Sequence, residues 1–145
     1  ATRVARKHYQ RARPFMVNGE RTCTPEDEEG LRGNGSYPSG HTSIGWAWAL
    51  ILSEIVPERA DAIQLRGRNY GESRLVCNVH WQSDILEGRF MGAAAVARLH
   101  DNPEFQRDLA AARKEIAAAR ANGARSSRDC ATEEAVLKVR PESAL

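Results

Sequence analysis

The stretch between Pro38 and Pro57 leaves this chain the least freedom. Ser39 suits a helix N-cap, because its hydroxyl can accept from a free N–H of the first turn. Ile44, Trp46, Ala47, Trp48, Leu50, Ile51, Leu52, Ile55 and Val56 then place apolar side chains nearly all round the helix until Pro57 stops it. A helix that is apolar on every side has to be covered by neighbours. The pattern therefore predicts a central helix after Ser39, with Trp46 and Trp48 as packing residues rather than ligand platforms.

The other segments supply the neighbours. Residues 2 to 12 are rich in helix formers and carry Arg3, Arg6, Lys7 and Arg11, and Pro14 is read as the stop. Residues 17 to 37 are polar and Gly-rich and read as a long loop. A helix is expected from Glu58 to about Asn69, with Gly67 and Gly71 loosening the approach to Ser73. Another runs from Gln82 to about His100, where Gly92-Ala93-Ala94-Ala95 would let a neighbouring helix come close. His100 reads as a helix-end residue. Residues 104 to 121 alternate Arg, Lys, Glu and Ala, as an exposed final helix does. Past Asn122-Gly123 the composition is that of a polar, disordered tail. The reading is all-α: a helical domain over 1–121 followed by a tail over 122–145.

At 145 residues the chain has the length of one domain, able to bury about two-thirds of its unfolded surface. It is 41% hydrophobic and 28% charged, and no run approaches the roughly 18 to 20 apolar residues of a membrane span. A net charge of +2 is too small to point to nucleic acid or anionic membrane as the main partner. Cys23, Cys77 and Cys130 lie too far apart for a zinc cluster. Cys23 and Cys77 are read either as a bridge, if the protein is exported, or as two buried free thiols.

Chemistry concentrates in Ser73 to Asp84. His80 and Asp84 stand four apart, so a helical turn there lets the carboxylate orient the imidazole and decide which ring nitrogen is free. Pro38-Ser39-Gly40-His41 sets a second histidine where a turn enters the central helix, whose first N–H groups and positive dipole favour an anion. Arg6, Arg13 and Arg74 add cations, two of them able to grip phosphate oxygens through a planar fork.

Taken in order, Arg6-x6-Arg13-Pro14, Pro38-Ser39-Gly40-His41 and Ser73-Arg74-x5-His80-x3-Asp84 resemble the signature of the type 2 phosphatidic acid phosphatase and vanadium haloperoxidase superfamily. Only Arg6 departs, standing where that signature has lysine. His8-Tyr9, Asn34-Gly35-Ser36-Tyr37 and His80-Trp81-Gln82-Ser83-Asp84 are similar to the bacterial class A non-specific acid phosphatases, and the likeness covers roughly residues 5 to 120. The resemblance implies a compact helical bundle, lacking helices that precede the first motif in that family, and a periplasmic or secreted location. It implies His80 as a nucleophile that becomes phosphohistidine, Asp84 as its orienting partner, and His41 as acid and then base. Arg6, Arg13, Ser39, Gly40 and Arg74 would cradle the phosphate, with no metal or other cofactor, and vanadate would inhibit.

The partners so implied are small phosphate monoesters, with no nucleic acid and no membrane span, while a homo-oligomer stays open. Competing readings are a vanadium haloperoxidase, a phosphate-binding module without turnover, and a hydrolytic metal site built on His41, His80 and Asp84.

Overall fold

A computed structural model describes residues 2–138, and every regular element among them is helical. The order is α1 (Arg3–Tyr9), α2 (Pro14–Asn18), a 3-10 turn (Pro25–Asp27), α3 (Glu28–Arg32), α4 (Gly40–Ile55), a second 3-10 turn (Pro57–Arg59), α5 (Ala60–Val76), α6 (Gln82–Leu99), α7 (Pro103–Ala121) and α8 (Cys130–Lys138). Helix α4 packs along both α5 and α6, and α7 lies against its other end.

Helix α4 begins and ends as expected. Ser39 has extended backbone (φ −66°, ψ 118°) and its Oγ accepts from the Thr42 N–H at 3.2 Å. At the far end the Val56 N–H closes on Leu52 O at 2.9 Å before Pro57 starts the 3-10 turn. Its burial differs from the expectation. The residues of α4 removed from solvent are Thr42, Ser43, Ala49 and Ser53, whereas Trp46 is half-buried and Trp48 is 66% exposed. The cause is how near the neighbours come. A Cβ built on Gly67 of α5 would lie 2.4 Å from Ala49 Cβ, and one on Gly92 of α6 would lie 2.5 Å from Ser43 O. Contacts that short admit only small side chains, so bulky residues are turned away from both crossings.

Gly67 and Gly71 therefore do not loosen the chain. They are buried inside α5, which runs unbroken to Val76 and carries Ser73 and Arg74 in its last turn. The sequence reading stopped that helix too soon because it scored glycine as a breaker, while packing overrides propensity here. Pro14 likewise starts a helix: α1 ends at Tyr9 with Gln10 left-handed (φ 45°), and Pro14 opens α2, where its missing N–H costs nothing. The expected loop over 17–37 includes the end of α2, a 3-10 turn and α3. In the segment read as a disordered tail, α8 lies on α5, with Glu133 paired to Arg66.

Two attachments complete the frame. His100 Nε2 meets Glu54 Oε1 at 2.9 Å, and Arg113 Nε donates to Glu54 O at 3.0 Å, docking α7 on α4 beside the buried Leu109. Cys23 and Cys77 form a disulfide with Cα atoms 4.9 Å apart, joining the irregular segment before α3 to the end of α5. Of the two sequence alternatives for these thiols, the bridge is the one present.

Gly67→Ala should cost about 1–3 kcal/mol, because overpacking at a fixed crossing outweighs the gain in helix propensity. Gly30→Ala, in α3 with nothing within 4 Å of the added methyl, should be neutral or stabilising. Urea unfolding midpoints of the two variants check the contrast. Changing Cys23 and Cys77 together to serine opens a cross-link spanning 54 residues. Loop entropy puts that at up to about 4 kcal/mol, read in the same assay.

Candidate active site

His80 lies between two helices and is fixed by backbone bonds before its side chain is considered. Helix α5 stops at Val76, Asn78 turns left-handed (φ 58°), and the N–H groups of Val79 and His80 both donate to Arg74 O, at 3.2 and 3.3 Å. Asn78 pins this corner to α2: its O accepts from the Phe15 N–H at 3.2 Å and its Nδ2 donates to Asn18 Oδ1 at 3.1 Å. The chain then enters α6, with Trp81 as N-cap residue and Asp84 in the first turn.

Asp84 is 0% exposed and all of its polar partners are close. Oδ2 accepts from the Trp81 N–H at 2.9 Å and faces His80 Nδ1 at 3.3 Å, while Oδ1 is paired with Arg11 Nη1 at 2.8 Å. The backbone O of Asp84 accepts from the Ser39 N–H at 3.0 Å, which locks the start of α6 to the start of α4. Burial works to raise the Asp84 pKa, but the hydrogen bonds from His80 and the Trp81 N–H and the Arg11 charge outweigh it and hold the group below its usual value.

An ionised carboxylate can only accept, so His80 Nδ1 carries the proton. The other ring nitrogen faces Arg13 Nη1 at 3.4 Å, and a guanidinium can only donate, so Nε2 presents its lone pair. The two neighbours together select one tautomer. His80 is 4% exposed, and burial, helped by the Arg13 charge, pushes its pKa down against the pull of Asp84.

Arg13 is itself a fixed part. It is buried at the N-cap of α2, where Nε donates to Asn34 O (3.1 Å) and Leu31 O (3.2 Å) and Nη1 donates to Val79 O (3.0 Å). Arg6 approaches from α1: a Cβ on Gly40 would stand 3.8 Å from its Cζ and Nη1, and its Nε is buried without a hydrogen-bond partner among the described residues. Arg74 Nε donates to Ser73 Oγ at 3.1 Å, and its Nη2 is 4.0 Å from Cys77 Sγ of the disulfide.

His41 stands exposed in the first turn of α4. Desolvation, followed by the charges of Arg74, His80, Arg13 and Arg6, lowers its pKa. Those four groups come from four different parts of the chain, so one imidazole senses the whole constellation. Ser39 is buried and its Oγ accepts from both the N–H and the Oγ1 of Thr42, which leaves only its own hydroxyl proton to offer an anion. The Gly40 and His41 N–H groups, in the first turn, have no intrahelical acceptor.

The structure thus brings together Arg6, Arg13, Ser39, Gly40, His41, Arg74, His80 and Asp84. Sequence reasoning missed Arg11, whose carboxylate partner is 73 residues away. It also missed Asn78, one of the unspecified positions between Arg74 and His80, where an asparagine is at most a hint of a left-handed turn. Among the described residues no three His, Cys, Asp or Glu side chains gather as metal ligands. His80 is flanked by Asp84 and a cation, an arrangement that argues against the hydrolytic metal reading.

Residues 1–107 match the model of the PAP2 superfamily, a span that contains every one of these site residues. The chain is 54% identical over 117 residues to the non-specific acid phosphatase of Providencia stuartii, covering 81% of this chain and 47% of that protein. It is 53% identical over 116 residues to the non-specific acid phosphatase of Salmonella typhimurium (80% and 46%) and 47% identical over 116 residues to the acid phosphatase of Zymomonas mobilis (80% and 44%). The chain spans less than half the length of these curated relatives. With the family model covering most of its length and all three motifs converging in space, the chain belongs to the PAP2 superfamily.

Proposed function

We propose that this chain hydrolyses phosphate monoesters without a metal, through a phosphohistidine on His80. The observation that carries the reading is the fixed tautomer: Asp84 holds Nδ1–H at 3.3 Å while Nε2 points its lone pair at the Arg13 fork, where a phosphate oxygen would be gripped. The names of the relatives support a phosphatase over a haloperoxidase.

In the first step the Nε2 lone pair forms a bond to phosphorus as the ester P–O bond breaks, and His41 gives its proton to the leaving oxygen. In the second, His41, now neutral, takes a proton from water, whose oxygen bonds phosphorus as the P–Nε2 bond breaks. Inorganic phosphate leaves and both imidazoles return to their starting states. Arg6, Arg13, Arg74 and the Gly40 N–H stabilise charge on the three peripheral oxygens in both steps. With His41 facing solvent among the described residues, leaving groups of varied shape meet no wall from them, which supports broad specificity. An alcohol in the place of water would yield phosphotransfer. The Cys23–Cys77 bridge supports an oxidising compartment, periplasmic or extracellular.

Release of phosphate from an aryl phosphate should persist in excess chelator. Rapid quenching with labelled substrate should trap an acid-labile, base-stable phosphate on the peptide containing His80, and His80→Ala should abolish it. Label on serine, or turnover by His80→Ala, would sink the mechanism.

The pH dependence follows from the two lowered pKa values. His80 must be neutral, so kcat/KM should rise with pH through its pKa. His41 must be protonated, so kcat/KM should fall as pH rises through its own. Both lie below the ordinary histidine value of 6.5, and the maximum belongs on the acid side. A bound phosphate offsets the cations around His41 and raises its pKa, so the falling limb of kcat should sit at higher pH than that of kcat/KM. Coincident limbs in the two profiles would contradict this account of His41.

A further inference from the structure

Arg11 is not a specified position of any of the three motifs, yet it is the group that neutralises the buried carboxylate. Its Nη1 reaches Asp84 Oδ1 at 2.8 Å and Ser83 Oγ at 2.6 Å. Its guanidinium carbon stands 5.6 Å from the Trp81 ring centroid and 6.0 Å from that of Tyr37, so aromatic rings of two separate segments hold the cation. Trp81 is fixed in turn, because its Nε1 donates to Ala12 O at 2.8 Å, next to Arg11 in the chain. The side chain is 39% exposed, but its carboxylate partner is not exposed at all.

We propose that Arg11 is a positioning residue that tunes the nucleophile from behind, by sharing Asp84 with His80. This rests on the reading of His80 as nucleophile. With Oδ1 held by Arg11 and Oδ2 by the Trp81 N–H, the carboxylate plane is set, and His80 Nδ1 meets an oxygen whose charge is already partly drawn off. A carboxylate left without Arg11 would be the stronger base. It would bind the protonated imidazole more tightly, and Nε2 would lose its lone pair at a higher pH. Arg11 thereby keeps His80 unprotonated in acid while Asp84 still fixes the tautomer.

Other groups face the same pair. Arg13 bears on His80 from the α2 N-cap, and His41 from α4. Tyr37 is coupled to Asp84, to Arg11 and to Glu87 of α6, while Arg6 and Arg74 act on His41. Arg11 is distinct among them because it touches Asp84 without touching the imidazole.

The test measures kcat/KM against pH, with the His80 ring titration followed by NMR, in the wild type, Arg11→Gln and Arg11→Lys. Glutamine should move the acid limb and the His80 titration together to higher pH and lower kcat about tenfold or more, with KM changed far less. Lysine keeps the charge but lacks the planar guanidinium that Trp81 and Tyr37 hold in place, so it should displace the limb in the same direction by less. Limbs unmoved in both variants would overturn the proposal, even if thermal stability fell, since a merely structural arginine leaves the titration in place. If only the lysine variant folds, its limb decides in the same way. Failure of the His80 reading is separate: it shows as absence of the trapped label in the wild type.

Discussion

A fully buried carboxylate is costly unless every lone pair is engaged, and Asp84 meets that demand in a way that assembles the site. One oxygen takes the Trp81 N–H and the His80 proton, the other takes Arg11, and the backbone carbonyl takes the Ser39 N–H. These bonds tie the start of α6 to the start of α4 and to the linker between α1 and α2. His80, Arg11 and the start of α4 therefore cannot be placed independently. Removing the carboxylate would disturb three segments as well as one imidazole.

That convergence requires helices α4, α5 and α6 to lie closer than bulky side chains allow. Gly67 against Ala49 and Gly92 against Ser43 make the approach, and nearer the site Gly88 does the same: a Cβ there would be 2.8 Å from Ser39 O. Small crossings bury little hydrocarbon. Among the described residues the buried apolar side chains are Phe15, Ala49, Val79, Ile85, Val96 and Leu109, while Ser36, Ser39, Thr42, Ser43 and Asp84 share the interior. Order near the site is correspondingly drawn from hydrogen bonds and from the Cys23–Cys77 link, whose Cys77 lies between Arg74 and His80 in the sequence.

The sequence was most legible where spacing and chemistry coincide. Ser39 capped its helix, Gln82 began another, and eight residues read from three motifs meet in one place. It was least legible where an outcome depends on a partner far along the chain. Gly67 and Gly71 looked like breaks because propensity is local, whereas the Ala49 and Thr42 side chains they accommodate belong to a different helix. Trp48 looked like core because an apolar stripe says nothing of how near the neighbours come. Arg11 was invisible as a site residue, one cation among several in a basic run, until Asp84 folded beside it.

Arginine rather than lysine at position 13 has a physical reason that also bears on Arg6. The Arg13 fork spends three hydrogen bonds on the carbonyls of Leu31, Asn34 and Val79 and still turns Nη1 toward His80. An ammonium has three donors on a flexible stem and cannot span those acceptors in one plane. Arg6 stands where the family signature has lysine, and it is not held in this way: among the described residues its Nε has no hydrogen-bond partner, and its tip lies against Gly40. One arginine is thus a rigid wall and the other a cation with donors to spare. Arg6, Arg13 and Arg74 all bear on His41, while the buried carboxylate is matched by Arg11. The charge at the site is therefore set locally and not by the chain's net +2. A dianionic phosphate fits those three cations in charge, and its tetrahedral oxygens suit cations arriving from separate elements better than a flat carboxylate would.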